Sequence, residues 1–191
     1  VDGTVNSPGI IGISGWAQSG KDTFAQVLIE EAGFTRMSFA EPMRQALLLL
    51  NPLVTVAGIP LSLVDVVADR GWEGAKRDTP ETRGLLQRFG TEVGREMFGT
   101  DFWVNYLLDG LEHSKVVITD VRYLNEASAI VRRGGQMLRV ERPGVRPANA
   151  HPSENSLDDY PNFAVTVPND RGVAELRAAA RMFIAIGNLD A

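Results

Sequence analysis

The chain has 191 residues, 44% of them hydrophobic and 23% charged, with a formal net charge of −5 and no cysteine. That length and balance suit one globular domain over 1–191 with a sizeable core, and exclude a disordered chain or a fibre. The acidic balance disfavours a nonspecific binder of nucleic-acid polymers, which needs a basic footprint. The missing cysteines exclude disulfides, thiolate metal sites and a cysteine nucleophile.

In chain order, Val1 to Ser7 is polar, with neither the basic start nor the apolar core of a secretion signal, so an intracellular, cytoplasmic location is expected. Gly9–Ser14 is a short apolar run ending in glycine-rich punctuation, as a buried parallel strand would. From Lys21, the residues Phe24, Val27, Leu28 and Glu31 repeat at helical spacing until Gly33 stops them. Thr35–Phe39 reads as a second strand, and Pro42 opens a helix to about Leu50.

Leu47–Val67 is apolar, but Asn51, Pro52, Gly58, Pro60, Ser62 and Asp65 interrupt it, so no run reaches the ~20 residues of a membrane span. It reads as a buried helix end and a turn-rich connection, with a helical turn or two at Ser62–Ala68. Thr79-Pro80-Glu81 opens the next helix, with Leu85, Leu86, Phe89, Val93 and Met97 on its apolar face. Asp101 opens another, holding Trp103, Val104, Leu107 and Leu108.

Lys115–Asp120 is expected to be a central strand, Asn125–Arg133 a helix stopped by Gly134-Gly135, and Gln136–Val140 a strand. Glu141–Asp159 is punctuated by Pro143, Pro147 and Pro152 and reads as a loop with room for one turn of helix. Phe163–Val167 is a last strand, and Asp170 is expected to cap a final helix to about Ile186. Strands alternate with helices and never follow one another directly. This argues a parallel sheet covered on both faces.

Gly15-Trp16-Ala17-Gln18-Ser19-Gly20-Lys21 fits the G-x4-G-K half of the phosphate-loop pattern. Such a loop wraps backbone N–H groups round a phosphate, which glycines permit, and the helix behind it aims its positive end at the anion. Lys21 adds a full charge for the outer phosphates. The apolar strand before the loop and the amphipathic helix after it are the context the motif requires. Where the pattern has a Ser or Thr ligand for Mg²⁺, this chain has Asp22, then Thr23. Asp22 holding the metal through water, Thr23 supplying the hydroxyl, and Asp22 only complementing the helix dipole are three open readings.

The segments GWAQSGKDT, LLQRFGTEVGREMFGTDFW, VVITDVRYLNEA, LRVERPG and HPSEN occur in this order from about Ile10 to Asn155. Together they resemble the phage deoxynucleoside monophosphate kinases, the actinobacteriophage members most closely. The resemblance implies an adenylate-kinase-like fold and transfer of the γ-phosphoryl of ATP to a deoxynucleoside monophosphate, with Mg²⁺. It also implies that Asp22 is at home in its place, and that the enzyme works in the cytoplasm of the infected host cell if phage-encoded.

Within that frame, Asp120 stands at a strand tip, where a phosphate-loop enzyme places a carboxylate for the Mg²⁺ water shell; a helix cap is the plainer alternative. Arg122 lies two residues on and suits a phosphate clamp, with Asn125 and Glu126 either orienting these groups or only starting a helix. Gln87, Thr91 and Arg95 are spaced by four, one stripe of a helix, and carry the groups that read a base edge and hold a monophosphate. The resemblance puts acceptor contacts there. Phe39 and Arg44 suit base stacking and phosphate binding, or a core phenylalanine and a surface arginine. Arg142 and Arg146 bracket the loop expected to be a lid, about 142–155, with His151 a lid contact. Arg139, in a strand, is expected to be structural. With only two histidines, His113 and His151, no histidine metal site is expected.

The fold expected is therefore a three-layer α/β phosphate-loop kinase with a short parallel sheet, a helical acceptor-binding insert over about 39–110 and the lid. The catalytic set is Lys21, Arg122 and Arg142, and the phosphate loop is Gly15, Ala17, Gln18, Ser19, Gly20, Lys21, Asp22 and Thr23. The rivals are a phosphate-loop kinase for another small acceptor, of the dephospho-coenzyme A or phosphomevalonate type, and a nucleotide-binding switch without transfer. The oligomeric state stays open, a homodimer included.

Overall fold

The structure, a computed structural model, describes residues 9–109, 111, 114–146, 155–187 and 189. Backbone packing divides them into two compact units: residues up to Ser38 and from Leu108 onward form one, and Phe39–Leu107 the other.

The first unit is an α/β layer structure. Its strands are β1 (Ile10–Ser14), β2 (Thr35–Met37), β5 (Val116–Ile118), β6 (Gln136–Glu141) and β7 (Val165–Pro168). They form one sheet in the order β2-β5-β1-β6-β7, parallel throughout. β1 is central, and all five of its residues are buried, which is why its sequence shows no alternation. Ile11 and Ile13 point into the core under helices α1 (Lys21–Ala32) and α7 (Val173–Ile186), with Phe24, Leu28, Leu176 and Ile184. Helix α6 (Leu124–Arg132) covers the opposite face. There Gly12 leaves the room that the Ile130 and Met137 side chains fill. The expected fold class, a short parallel sheet between helices in the manner of a phosphate-loop kinase, is what the chain adopts.

Helices α1 and α7 are also fastened across their exposed edges. Arg181 grips both carboxylate oxygens of Glu31, and Arg177 reaches Glu30 at 2.7 Å. Hydrogen bonding from these arginines holds both carboxyls below their ordinary pKa.

The second unit holds α2 (Glu41–Leu50), a hairpin of β3 (Leu53–Val56) and β4 (Ile59–Ser62), α3 (Leu63–Asp78), α4 (Pro80–Arg88), a π-helix (Phe89–Met97) and the start of α5 (Phe102–Leu108). Its core gathers Leu47, Val54, Leu63, Val66 and Ala75, with Trp72, Leu85, Leu86 and Phe89 against them.

Several expectations need correction here. The end of α2 is not buried: Leu49 is 88% and Leu50 65% exposed. The connection after it is an antiparallel hairpin, so two strands do follow one another. Ala57 and Gly58, both at positive φ, make its tight turn. Helix α3 is much longer than a turn or two, broken at Gly71 and started by the Ser62 hydroxyl, which accepts the Asp65 N–H at 3.1 Å. Met97 is 71% exposed and so lies off the apolar face. Helix α7 starts at Gly172 and not at Asp170.

Among the described residues, no helix is long and apolar enough to cross a membrane.

Candidate active site

The turn between β1 and α1 has the backbone that a phosphate loop needs. Gly15 sits at φ 147°, and a Cβ there would lie 2.5 Å from the Val140 carbonyl oxygen and 2.7 Å from Ser19 Oγ. Gly20, at φ 104°, leaves no more room: its Cβ would meet Asn169 Nδ2 at 2.5 Å. Any side chain at either position would force the loop open. The Ser19 N–H closes the turn on the Trp16 carbonyl at 3.1 Å. From the end of the edge strand β7, the Asn169 amide donates to the Ser19 carbonyl at 2.8 Å and pins the loop there.

Ser19 is buried, and its hydroxyl has no hydrogen-bond partner among the described residues. A buried unpartnered donor costs free energy unless something arrives to accept from it.

A pocket opens over this loop. Gly15, Ala17 and Lys21 line it from one side, and Asp120 and Arg122, at the end of β5, from the other. Five of the expected site residues, from two segments distant in the chain, thus meet in one place. Lys21 extends along the loop, its ammonium 3.4 Å from the Trp16 carbonyl. Asp120 accepts from the Ser38 hydroxyl at 2.7 Å. Arg122 is exposed on a segment that Glu126 fixes: this buried carboxylate accepts the N–H groups of Arg122 at 2.8 Å and Tyr123 at 3.1 Å. Glu126 therefore both starts α6 and orients the Arg122 backbone, so the two readings of it combine.

Asp22 is engaged in a way that none of the sequence readings named. It forms an ion pair with Arg36 from the strand β2, and Arg36 also donates to the Thr119 hydroxyl at 3.0 Å. Arg36, Ser38 and Thr119 thus tie the loop helix and the Asp120 tip together. The sequence carried no local signal for them, because it takes β2 lying beside β5 to bring them there.

Arg139, expected to be structural, is tied into a dense set of contacts. Its guanidinium donates to Glu141 at 2.7 Å, to the Leu157 carbonyl at 2.9 Å and to Asp158 at 2.7 Å. It also lies 5.7 Å from the ring centres of Trp16 and Phe163, and it lines the pocket.

The remaining expected residues are not brought to this pocket. Thr23 lies in the first turn of α1 behind Asp22, and Gln18, at φ 65°, is exposed at the loop tip. Arg142 and Arg146 are exposed on the segment after β6. His151 and His113 lie outside the described residues, as does most of the expected lid. Phe39, Arg44, Gln87, Thr91 and Arg95 belong to the second unit. There Phe39 is buried, in line with a core phenylalanine. Arg44 lies 5.8 Å from the Trp72 ring centre and 3.9 Å from Glu41. Gln87 and Thr91 are exposed and Arg95 half-buried. The stripe crosses from α-helix into π-helix, so its four-residue spacing does not keep one face.

The sequence profile of the family described as deoxynucleotide monophosphate kinase matches residues 62–179. The chain belongs to the deoxynucleotide monophosphate kinase family. A protein of Acanthamoeba polyphaga mimivirus, provisionally named deoxynucleotide monophosphate kinase, is 32% identical over 180 residues, covering 87% of this chain and 91% of that one. A crystal structure of an unliganded sugar kinase from Janibacter sp. HTCC2649 aligns over 95% of this chain and 98% of its own at 15% identity, with a TM-score of 0.46. That last likeness is too remote to carry an argument.

For a kinase of this family, the donor set fits Mg²⁺ in one particular way. Among the described residues, no three carboxylates or histidines gather into a protein-only metal cage. Mg²⁺ in phosphoryl-transfer sites keeps most of its shell as water and substrate phosphate, needing one or two carboxylates from the protein. Asp120, which lines the same pocket as Lys21, is a carboxylate in the place such a site needs one.

Proposed function

We propose that this chain is a deoxynucleoside monophosphate kinase that moves the γ-phosphoryl of ATP to a deoxynucleoside monophosphate, giving ADP and the deoxynucleoside diphosphate. The observation that carries the reading is the pocket in which the phosphate loop, Lys21, Asp120 and Arg122 meet, in a chain of this family. An oxygen of the acceptor phosphate attacks the γ-phosphorus, and the bond from that phosphorus to the β,γ-bridging oxygen breaks as ADP leaves. The acceptor phosphate is already ionised at neutral pH, so no strong general base is required.

The work of the protein is positioning and charge neutralisation. The loop N–H groups and the Ser19 hydroxyl hold phosphate oxygens, and Lys21 and Arg122 offset the charge on the transferring group. Arg142 and Arg146 bring further positive charge from a lid over about 142–155. Mg²⁺ would be held through Asp120, with Thr23 as the nearest hydroxyl on α1, and would neutralise phosphate charge when bound. The Phe39–Leu107 unit receives the acceptor, with Arg95 on its monophosphate. The resemblance of its motifs to phage enzymes, together with the mimivirus relative, extends the proposal to a virus-borne kinase in the cytoplasm of an infected cell.

The deciding experiment is a coupled ADP-release assay with ATP against each deoxynucleoside and ribonucleoside monophosphate. ADP release that rises with one or more deoxynucleoside monophosphates supports the reading. Release that answers only to dephospho-coenzyme A or phosphomevalonate, or to no acceptor, refutes it in favour of another kinase or a switch.

Two substitutions probe the parts. Asp120→Asn is expected to raise the Mg²⁺ concentration for half-maximal rate by about tenfold or more. The fold should stay intact, since asparagine can still accept from Ser38. An unchanged Mg²⁺ titration would make Asp120 a cap. Arg95→Lys is expected to weaken use of the monophosphate by about 1.5–3 kcal/mol, because lysine cannot grip two phosphate oxygens at once. ATP affinity measured without acceptor should barely move; equal losses for both substrates would mark Arg95 as structural.

A further inference from the structure

The nine residues Phe89–Met97 are wound as a π-helix, and a side chain of the following helix reaches into it. The Trp103 indole N–H donates to the Gly90 carbonyl at 3.1 Å. In an α-helix that carbonyl would accept the backbone N–H of Gly94. The indole lies along the flank of Gly94, where a Cβ would overlap its nitrogen outright. Phe89 and Phe102 hold the indole in place, with ring centres 5.7 Å and 4.8 Å from it. A side chain that enters the backbone ladder opens it from four-residue to five-residue bonding. Long π-helical stretches are uncommon and survive only where something holds them. Trp103 is placed to hold this one, and Gly94 is the small position that admits its indole.

We propose that Trp103 is a positioning residue for the acceptor. Its indole N–H keeps Phe89–Met97 in π winding and so sets the direction in which Thr91 and Arg95 leave the helix. The inference rests on Arg95 being the monophosphate ligand, as read above. Five-residue bonding turns the chain less per residue than four-residue bonding, so the same sequence in α winding would carry Arg95 to a different bearing about the axis. The bearing of its guanidinium is thus a consequence of a side chain eight positions further on.

Trp103→Phe keeps an aromatic ring and removes the N–H. The expected result is a monophosphate KM raised about tenfold, the scale of one lost hydrogen bond in a fixed geometry, with the ATP KM within about twofold of the parent. Arg95→Lys added to Trp103→Phe should then cost much less than it costs alone, since the two act through one contact. If Trp103→Phe fails to melt cooperatively, 3-benzothienylalanine at position 103 replaces the N–H by sulfur within the same bicyclic shape, and the same KM shift is expected. Equal rises in both KM values would make Trp103 merely structural and overturn the proposal. An unchanged monophosphate KM in a folded variant, with Arg95→Lys still effective, overturns it while Arg95 stands. An Arg95→Lys without effect on the monophosphate overturns both.

Discussion

Lys21→Ala is expected to slow phosphoryl transfer at least about a hundredfold, the range of one lost charge-stabilising group in a site that excludes water. Lys21 is the one residue of the phosphate loop that brings a full charge into the pocket, and its ammonium lies against the loop it serves, 3.4 Å from the Trp16 carbonyl. The strand before it and the helix after it do not depend on its side chain. Helix α1 is held by Phe24, Val27 and Leu28 in the core, so the thermal midpoint should move by less than about 2 °C, as for a surface substitution. The measurement pairs ADP release under saturating substrates with a thermal melt. A variant that melts like its parent and turns over at a near-normal rate would remove Lys21 from the chemistry and the phosphate-loop reading with it.

That part of the site was legible because its signals are local. The apolar run of β1, the glycines of the loop and the amphipathic pattern of α1 sit side by side in the sequence, and each constrains the next. KVVITD and the helix after it were readable for the same reason. The hairpin of the second unit was not. Its turn is Ala57-Gly58, without the Asn-Gly or Asp-Gly pair that marks such turns, and Pro60 argues against a strand unless the strand is an edge, as β4 is. The π-helix was unreadable in principle from its own residues. Leu85, Phe89 and Val93 repeat at α spacing, and the indole that opens the ladder lies beyond them in the chain. The Arg36–Asp22 pair was hidden likewise, since nothing in either neighbourhood says that β2 pairs with β5.

Arg139 illustrates how little of a residue's setting its place in a strand reveals, and it carries the largest expected effect on stability. Its side chain is 8% exposed, yet it holds a full charge beside two aromatic rings. The charge is tolerable there because its fork is matched by Glu141, Asp158 and the Leu157 carbonyl at 2.7–2.9 Å. Arg139→Lys keeps the charge but can satisfy only part of that set, and it loses the flat face that Trp16 and Phe163 cover. Breaking such a network costs roughly 3–5 kcal/mol when both ions are buried; Glu141 and Asp158 reach water, so the lower end, about 3 kcal/mol, applies here. In a chain of this length that corresponds to a fall in the thermal midpoint of roughly 6–12 °C. Function should suffer too, because Trp16 belongs to the phosphate loop and would lose the surface it rests on. The ATP KM is therefore expected to rise while Arg95→Lys, in the other unit, leaves the midpoint where it was. A melt of Arg139→Lys within about 2 °C of the parent would mean that Asp158 and Leu157 are held in place by something other than this arginine.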